Sequence, residues 1–448
     1  MDCLEVLITV KLTSAEREML EGTKGPLKQQ ALKKVVEYAN VLGAEELCEV
    51  TKAHIFCGLH SYLTAYSENL DDLSDIEQTL SQMHLCSDEK IKFEPFACYC
   101  QSDVGPMDPI SYEDMDISPK KAAVNQKYLD FYKNMGVNMA GTCVPYLSGF
   151  LPLQGEHYVT SESHVVPLLN GFFGAAGNSD GLEAGFWSAI CGRTPKWGNH
   201  IKENRKGTHL FKVDFPVETS EEWDLLGYDI GRKLPTHSVP VIYGDKLKVD
   251  IVTLKYFFAA MCTTSGPEMC HIVGHTPEAP TLEAAFGGKT DYPVINVIKR
   301  DLVDSFWILS DKVLADKNGG DELTYISLGC PHYSMDEMRL IANYMKGKKK
   351  ADKVIVHVWT AHQMKEVAER SGIADDIKAF GAKLLTSSCP LTSGYFPKEA
   401  GTSILFDSAK QAHYIRPITK AGIFYRNLEL CIDAAVIGKL EEHKPLDS

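Results

Sequence analysis

The sequence predicts an α/β protein of several units whose sheets are mostly parallel, and three observations lead to that expectation. From about residue 289, short apolar runs alternate with amphipathic stretches, the order that strands joined by crossover helices require. Helix-start signals stand directly ahead of the amphipathic stretches. A chain of 448 residues with 44% hydrophobic content also exceeds one core, since single cores rarely grow past about 250–300 residues.

The elements follow in chain order. Thr13 and Glu16 have capping-box spacing, and residues 28–42 continue with helical periodicity until Gly43. "GAEELCEVTKAHIF" then turns strand-like. Residues 87–120 are rich in Asp, Ser, Pro and Cys without periodicity and read as a long, partly irregular connection, the kind that tends to carry function. Residues 141–204 are dense in Gly, Ser, His and aromatics. "ELTYISLG" is a strand, "SMDEMRLIANYMKG" a helix opened by a Ser334–Glu337 box, "KVIVHVW" a strand, "AHQMKEVAERSG" a helix and "GAKLLTSS" a strand. This βαβαβ order places the strands' carboxyl ends on one edge, where α/β sheets bind ligands. Units are expected at 1–135, 136–288 and 289–448.

Charge and composition exclude several partners. The net charge of −14 is spread along the chain, and the one basic run, residues 346–350, reads as a solvated helix end, so no nucleic acid is expected. No apolar run reaches the roughly 20 residues that span a bilayer. The opening "MDCLEVLITVKLTSAERE" has neither a basic flank nor a small-residue cleavage site, which places the chain in the cytoplasm, away from membranes. Thirteen cysteines in such a chain indicate free thiols or metal ligands, not a disulfide framework.

Two cysteines share the sheet edge. Cys330, in "ISLGCPHYSMDE", and Cys389, in "KLLTSSCPLTS", each precede a proline that bends the chain out of its strand and can turn the thiol into a crevice. Burial in the core is the other reading. Cys143 is a third, in a turn-rich setting, followed by small and polar residues that core packing does not explain.

The ordered motifs resemble the large, catalytic part of aconitase X: "TCVPYL" from Thr142, "GEH" ending at His157, "SES" at Ser161 to Ser163, and "GRTP" from Gly192. "TPEAPTLEAAF" from Thr276, "LGCPHYS" from Leu328, "SSC" ending at Cys389 and "SAKQAHY" from Ser408 follow in the family's order, covering nearly the whole chain. The resemblance implies an aconitase-like fold around a central cleft, without the swivel domain. It also implies an iron centre, an iron-sulfur cluster (2Fe-2S or 4Fe-4S) or mononuclear iron, on Cys143, Cys330 and Cys389. Thiolates suit such a centre, and three of them leave an iron position open. Zinc is the competing reading of a three-cysteine site, but the C-x2-C pairs usual in structural zinc modules are absent.

Other residues carry two readings each. His332 could polarise a leaving hydroxyl or cap the following helix; Glu156 and His157 could be an acid–base pair or a structural hydrogen bond. The resemblance places Glu162, Ser163, Asn178, Ser179, Thr276, Glu278, Ser408 and Lys410 around the substrate. There Lys410 could hold a carboxylate, or simply be a surface lysine beyond a strand. His54, Cys57, His60 and Cys48 lie in a strand-like stretch and read as packing. Two departures stand out. The family's G-A-R-T-N-R is "GAAGNSD" here, with both arginines missing, and "ACYCQSDVGPMD" replaces its T-T-L-N-P, adding Cys98 and Cys100, which are a redox pair, extra ligands or packing.

The resemblance implies a hydro-lyase that dehydrates a small hydroxy acid, with the proton acceptor on a small swivel-domain subunit. Lost arginines speak against a phosphate dianion more than against a carboxylate, which favours cis-3-hydroxy-L-proline, giving pyrroline-2-carboxylate, over mevalonate 5-phosphate. A non-catalytic iron-sulfur sensor and a metal-free binding subunit are the alternatives from other classes.

Overall fold

Three parallel sheets organise the chain, which a computed structural model describes over residues 9–67, 69–313, 321–443 and 445–447. The opening residues, on which the reading of a missing leader partly rests, lie outside them. The first sheet has the order Val137–Asn138, Tyr99–Ser102, Lys52–Ile55, Tyr158–Thr160. The second has the order Val294–Val297, His209–Val213, Pro240–Tyr243, His271–Ile272. The third, with five strands, has the order Lys383–Thr386, Ile355–Thr360, Tyr325–Tyr333, Ser403–Phe406, Gly422–Tyr425.

These sheets divide the chain elsewhere than composition suggests. The expected boundary after residue 135 falls inside the first sheet, because Val137–Asn138 pairs with Tyr99–Ser102. Leu47–Glu49 pairs antiparallel with Arg193–Pro195, which keeps the Gly- and Ser-rich segment in the first unit. The boundary after residue 288 likewise cuts the second sheet, where Val294–Val297 pairs with His209–Val213. The polar composition of 141–204 reflects loops at a strand edge, not a new core.

Local signals explain most elements. The Thr13 hydroxyl accepts from Glu16 N while the Glu16 carboxylate accepts from Thr13 N, and the helix Ser14–Leu20 comes next. The same reciprocal box at Ser334 and Glu337 opens Met335–Met345. The predicted βαβαβ is present and gains two strands. The helix expected from "AHQMKEVAERSG" is His362–Arg370, and a further helix, Ile373–Phe380, follows it after Gly372 turns the chain in a left-handed conformation. Within the stretch read as irregular, Tyr99–Ser102 is a strand too short to show periodicity.

Between the sheets, fully buried Trp223 and Phe257 meet edge to face at 5.3 Å, joining the helices Ser220–Lys233 and Ile251–Thr264. The carboxyl edges of the first and third sheets are tied directly. Gly105 N donates to Ser387 O at 2.6 Å, His362 N to Ala140 O at 3.2 Å, and Thr386 N to the buried Asp108 carboxylate at 2.8 Å. Among the described residues no helix is long and apolar enough to cross a membrane.

Candidate active site

The loops beyond those two strand edges carry the three thiols. Tyr325–Tyr333 loses register between Leu328 and Tyr333, and Gly329 makes this possible: its φ is +94°, and a Cβ there would collide with Trp359 O. The bulge lifts Cys330 out of the strand. Gly141, with φ +57°, lets the chain ahead of Cys143 press against Ser387, just ahead of Cys389. Cys389 is the N-cap of Pro390–Ser393, with Thr392 Oγ1 3.4 Å from its sulfur.

Donors and one cation surround the sulfurs. His332 N lies 3.5 Å from Cys143 Sγ, and the Ser408 hydroxyl donates toward Cys330. Burial pushes all three thiols up, Cys330 to about 12, while Lys410 works against that rise at each of them. Cys330 raises Cys143 further and Cys389 raises Cys330, so the three are electrostatic neighbours. Three soft donors, each with a hydrogen-bond donor at its sulfur and a shared ammonium beside them, fit an iron-sulfur centre.

Lys410 Nζ donates to Glu162 Oε1 at 2.7 Å, and His164 Nδ1 is 2.7 Å from the same oxygen. Burial alone would raise the Glu162 carboxyl; Lys410 and then His164 outweigh it and hold it well below the usual range. Burial favours neutral Lys410, yet the Glu162 carboxylate holds it charged. The pair is therefore ionised. Lys410 is not a surface lysine: it stands in the first turn of Ala409–Ile415 and meets Glu162, just past Tyr158–Thr160.

His332 departs from the acid expected of it. Nε2 donates to Ser388 O at 2.9 Å, which leaves Nδ1 to accept from Thr142 Oγ1 at 3.1 Å. Burial lowers its pKa to about 4. A neutral ring with both nitrogens engaged ties the Cys143 and Cys389 loops together.

The better placed acid is Asp103, which sequence reasoning passed over. It is buried just past Tyr99–Ser102, its Oδ1 accepts from Val104 N at 2.7 Å, and its Oδ2 is buried without a partner. Burial and then Glu162 raise its carboxyl well above the ordinary range. Asp103 lines a cavity of about 190 Å³ that also touches Gly141 and Ser387. His54, read as packing, holds the same loops through Thr142 O and Thr160 Oγ1, both at 3.0 Å. Lys255, the one charge in the apolar run "IVTLKYFFAAMC", is fully buried and donates to Pro331 O and His332 O at 3.0 Å.

The structure gathers Cys143, Cys330, Cys389, His332, Glu162, Ser408 and Lys410, with Ser163 beside Glu162 in the chain, and places the other expected residues elsewhere. Glu156 and His157 precede the strand whose far end leads to Glu162. Glu156 pairs with Lys52 at 2.8 Å, and His157 Nδ1 meets His200 Nδ1 at 3.0 Å. Asn178 accepts from Asn199 N at 2.8 Å, Ser179 N donates to Glu268 at 3.0 Å, Thr276 donates to Ile272 O, and Glu278 pairs with Arg205 at 2.6 Å. Of these contacts, Ser179 to Glu268 and Arg205 to Glu278 reach from the first unit into the second. Cys98, just ahead of the strand Tyr99–Ser102, and Cys100, within it, are 3.9 Å apart, sulfur to sulfur.

Fold and site together define an α/β protein of three parallel-sheet units with a thiol-lined centre between opposed strand edges. Aconitase X family models match it throughout: the first domain over residues 9–203, the second over 207–306 and the third over 323–437. The chain belongs to the aconitase X family. It is 28% identical to a cis-3-hydroxy-L-proline dehydratase of Hypocrea jecorina over 98% of this chain and 70% of that one. It is 30% identical to the phosphomevalonate dehydratase large subunit of Methanothermobacter thermautotrophicus over 91% of this chain and 94% of that one. The crystal structure of Thermococcus kodakaraensis aconitase X in its holo-form superposes with a TM-score of 0.76 at 25% identity, covering 95% of this chain and all of that one. The fold is thus aconitase-like.

Proposed function

We propose that this chain is the large subunit of a hydro-lyase that dehydrates cis-3-hydroxy-L-proline at an iron-sulfur centre on Cys143, Cys330 and Cys389. The observation that carries the substrate choice is the ionised Lys410–Glu162 pair beside the thiols. One cation and one anion complement a zwitterion, whose carboxylate takes Lys410 and whose ring ammonium takes Glu162. Mevalonate 5-phosphate brings a carboxylate and a phosphate dianion, and the buried ammonium groups near the thiols are already matched, Lys410 by Glu162 and Lys255 by Glu337.

When bound, the centre supplies a Lewis acid at the C–O bond. Asp103 is the proton donor for the departing hydroxyl, through Oδ2. His332, His54 and Lys255 hold the loops in place. The base that takes the carbon-bound proton is assigned to a small swivel-domain subunit; that relatives are named large subunits supports the existence of such a partner.

The test is anaerobic reconstitution with a small aconitase X subunit, then assays of both substrates. Faster turnover of cis-3-hydroxy-L-proline is expected. A preference for mevalonate 5-phosphate overturns the substrate, and turnover of neither at an iron-loaded centre supports the sensor alternative.

A further inference from the structure

Cys48, His157 and His200 converge outside the site described above. Cys48 lies in the strand pair Leu47–Glu49 with Arg193–Pro195, His157 leads into Tyr158–Thr160, and His200 ends the turn Gly198–His200. One ligand atom from each lies within 4.8 Å of the other two. The Nδ1 atoms of the histidines are 3.0 Å apart, close to the roughly 3.3 Å between two nitrogens bound at about 2.0–2.1 Å to one tetrahedral ion.

A further feature points to a missing ligand. His200 is 5% exposed, which holds its Nδ1 beside His157 in a largely dry setting. The Cys48 thiol makes only a 3.7 Å contact to Thr194 O, a weak interaction that a metal bond readily replaces. His157 and His200 also line a cavity of about 200 Å³ with Gln154 and Lys202, which gives solvent access to a fourth position. A hydrogen bond between two neutral imidazoles beside an inert thiol is the competing account.

We propose that Cys48, His157 and His200 form a second metal centre, for one divalent cation of the zinc class, separate from the three-cysteine site. A thiolate and two imidazoles are borderline-soft donors that suit zinc better than magnesium or calcium. Binding forms one metal–sulfur and two metal–nitrogen bonds, and the thiol proton passes to solvent. The metal fastens the first unit to the turn leading toward Arg205, whose guanidinium donates to Asn170 O and Ala175 O and pairs with Glu278.

Iron-loaded protein, stripped of adventitious metal, is titrated with zinc against a chromophoric chelator. One tightly bound equivalent per chain is expected, with one proton released. Cys48→Ala and His200→Ala should each weaken zinc binding at least 100-fold without changing iron content, while Cys98→Ala changes neither. Cobalt in place of zinc should give a sulfur-to-metal charge-transfer band that Cys48→Ala removes, a comparison that stands even if His200→Ala fails to fold. No uptake of the equivalent, or its retention in Cys48→Ala, overturns the proposal. Because zinc is read separately from iron and turnover, failure here leaves the hydro-lyase reading standing.

Discussion

Lys410 Nζ and Glu162 Oε1, 2.7 Å apart, join the carboxyl edge of the third sheet to that of the first. The residues lie far apart in sequence, so this one contact spans the cleft and sets the charge at its centre.

Removing either partner should therefore do more than break a surface ion pair. Lys410→Met leaves a largely buried carboxylate without its cation and should destabilise the chain by about 3–5 kcal/mol. Glu162→Gln should also destabilise it, and Lys410→Met/Glu162→Gln should cost less than the sum. Denaturant titration of the four proteins checks this. Because Glu162 has a depressed folded pKa, its contribution is present above the ordinary carboxylate value of about 4.3. It is lost only as pH falls through the lower folded value, so the coupling should be the same at pH 6 and pH 8.

The thiols differ in what they hold. Cys143→Ser, Cys330→Ser and Cys389→Ser should each lose bound iron and visible absorbance. Cys431→Ser should keep both, since Cys431 is buried against Arg426 O. Full iron retention in any of the first three removes that residue from the centre.

Asp103→Asn preserves shape and removes the proton. In the reconstituted enzyme, kcat should fall by about 10²–10⁴ while iron content stays unchanged. An unchanged kcat would move the acid to another group, and a raised KM with unchanged kcat would mark Asp103 as a binding residue instead.

Buried histidines predict a dependence on acid. His60 and His357 are both lowered by burial to about 4. The unfolded rings, near 6.5, bind protons that the folded rings refuse, so stability is complete above about pH 6.5 and falls as pH drops toward 4. Between pH 7 and 5 each ring contributes a loss of about 2 kcal/mol. His357→Gln should flatten the profile by about that much, read from denaturation midpoints across the range.

Three of the third sheet's five strands were legible in the sequence because apolar runs alternate there with amphipathic helices, one of them opened by an explicit cap. Tyr99–Ser102 was not: four residues cannot show alternation, and the surrounding polar and cysteine-rich stretch reads as loop. The thiols and Lys410 could be found from motifs. Asp103, Lys255 and the coupling of His54 to Thr142 could not, since each depends on contacts between segments distant in sequence. Lys255 left one trace, a lone charge inside an apolar helix. His332 shows the limit from the other side: its motif marks the position, but only the partners of its two nitrogens reveal a brace.

One thiol lies in the first unit and two in the third; Cys143 and Cys330 are buried and Cys389 is half-buried, and desolvation pushes all three pKa values up. A newly made chain therefore carries its first sulfur long before the other two emerge. Once folded, protonated sulfurs are slow nucleophiles, poorly reactive toward oxidants and alkylating agents. The apo chain should thus wait as a durable acceptor for cluster delivery.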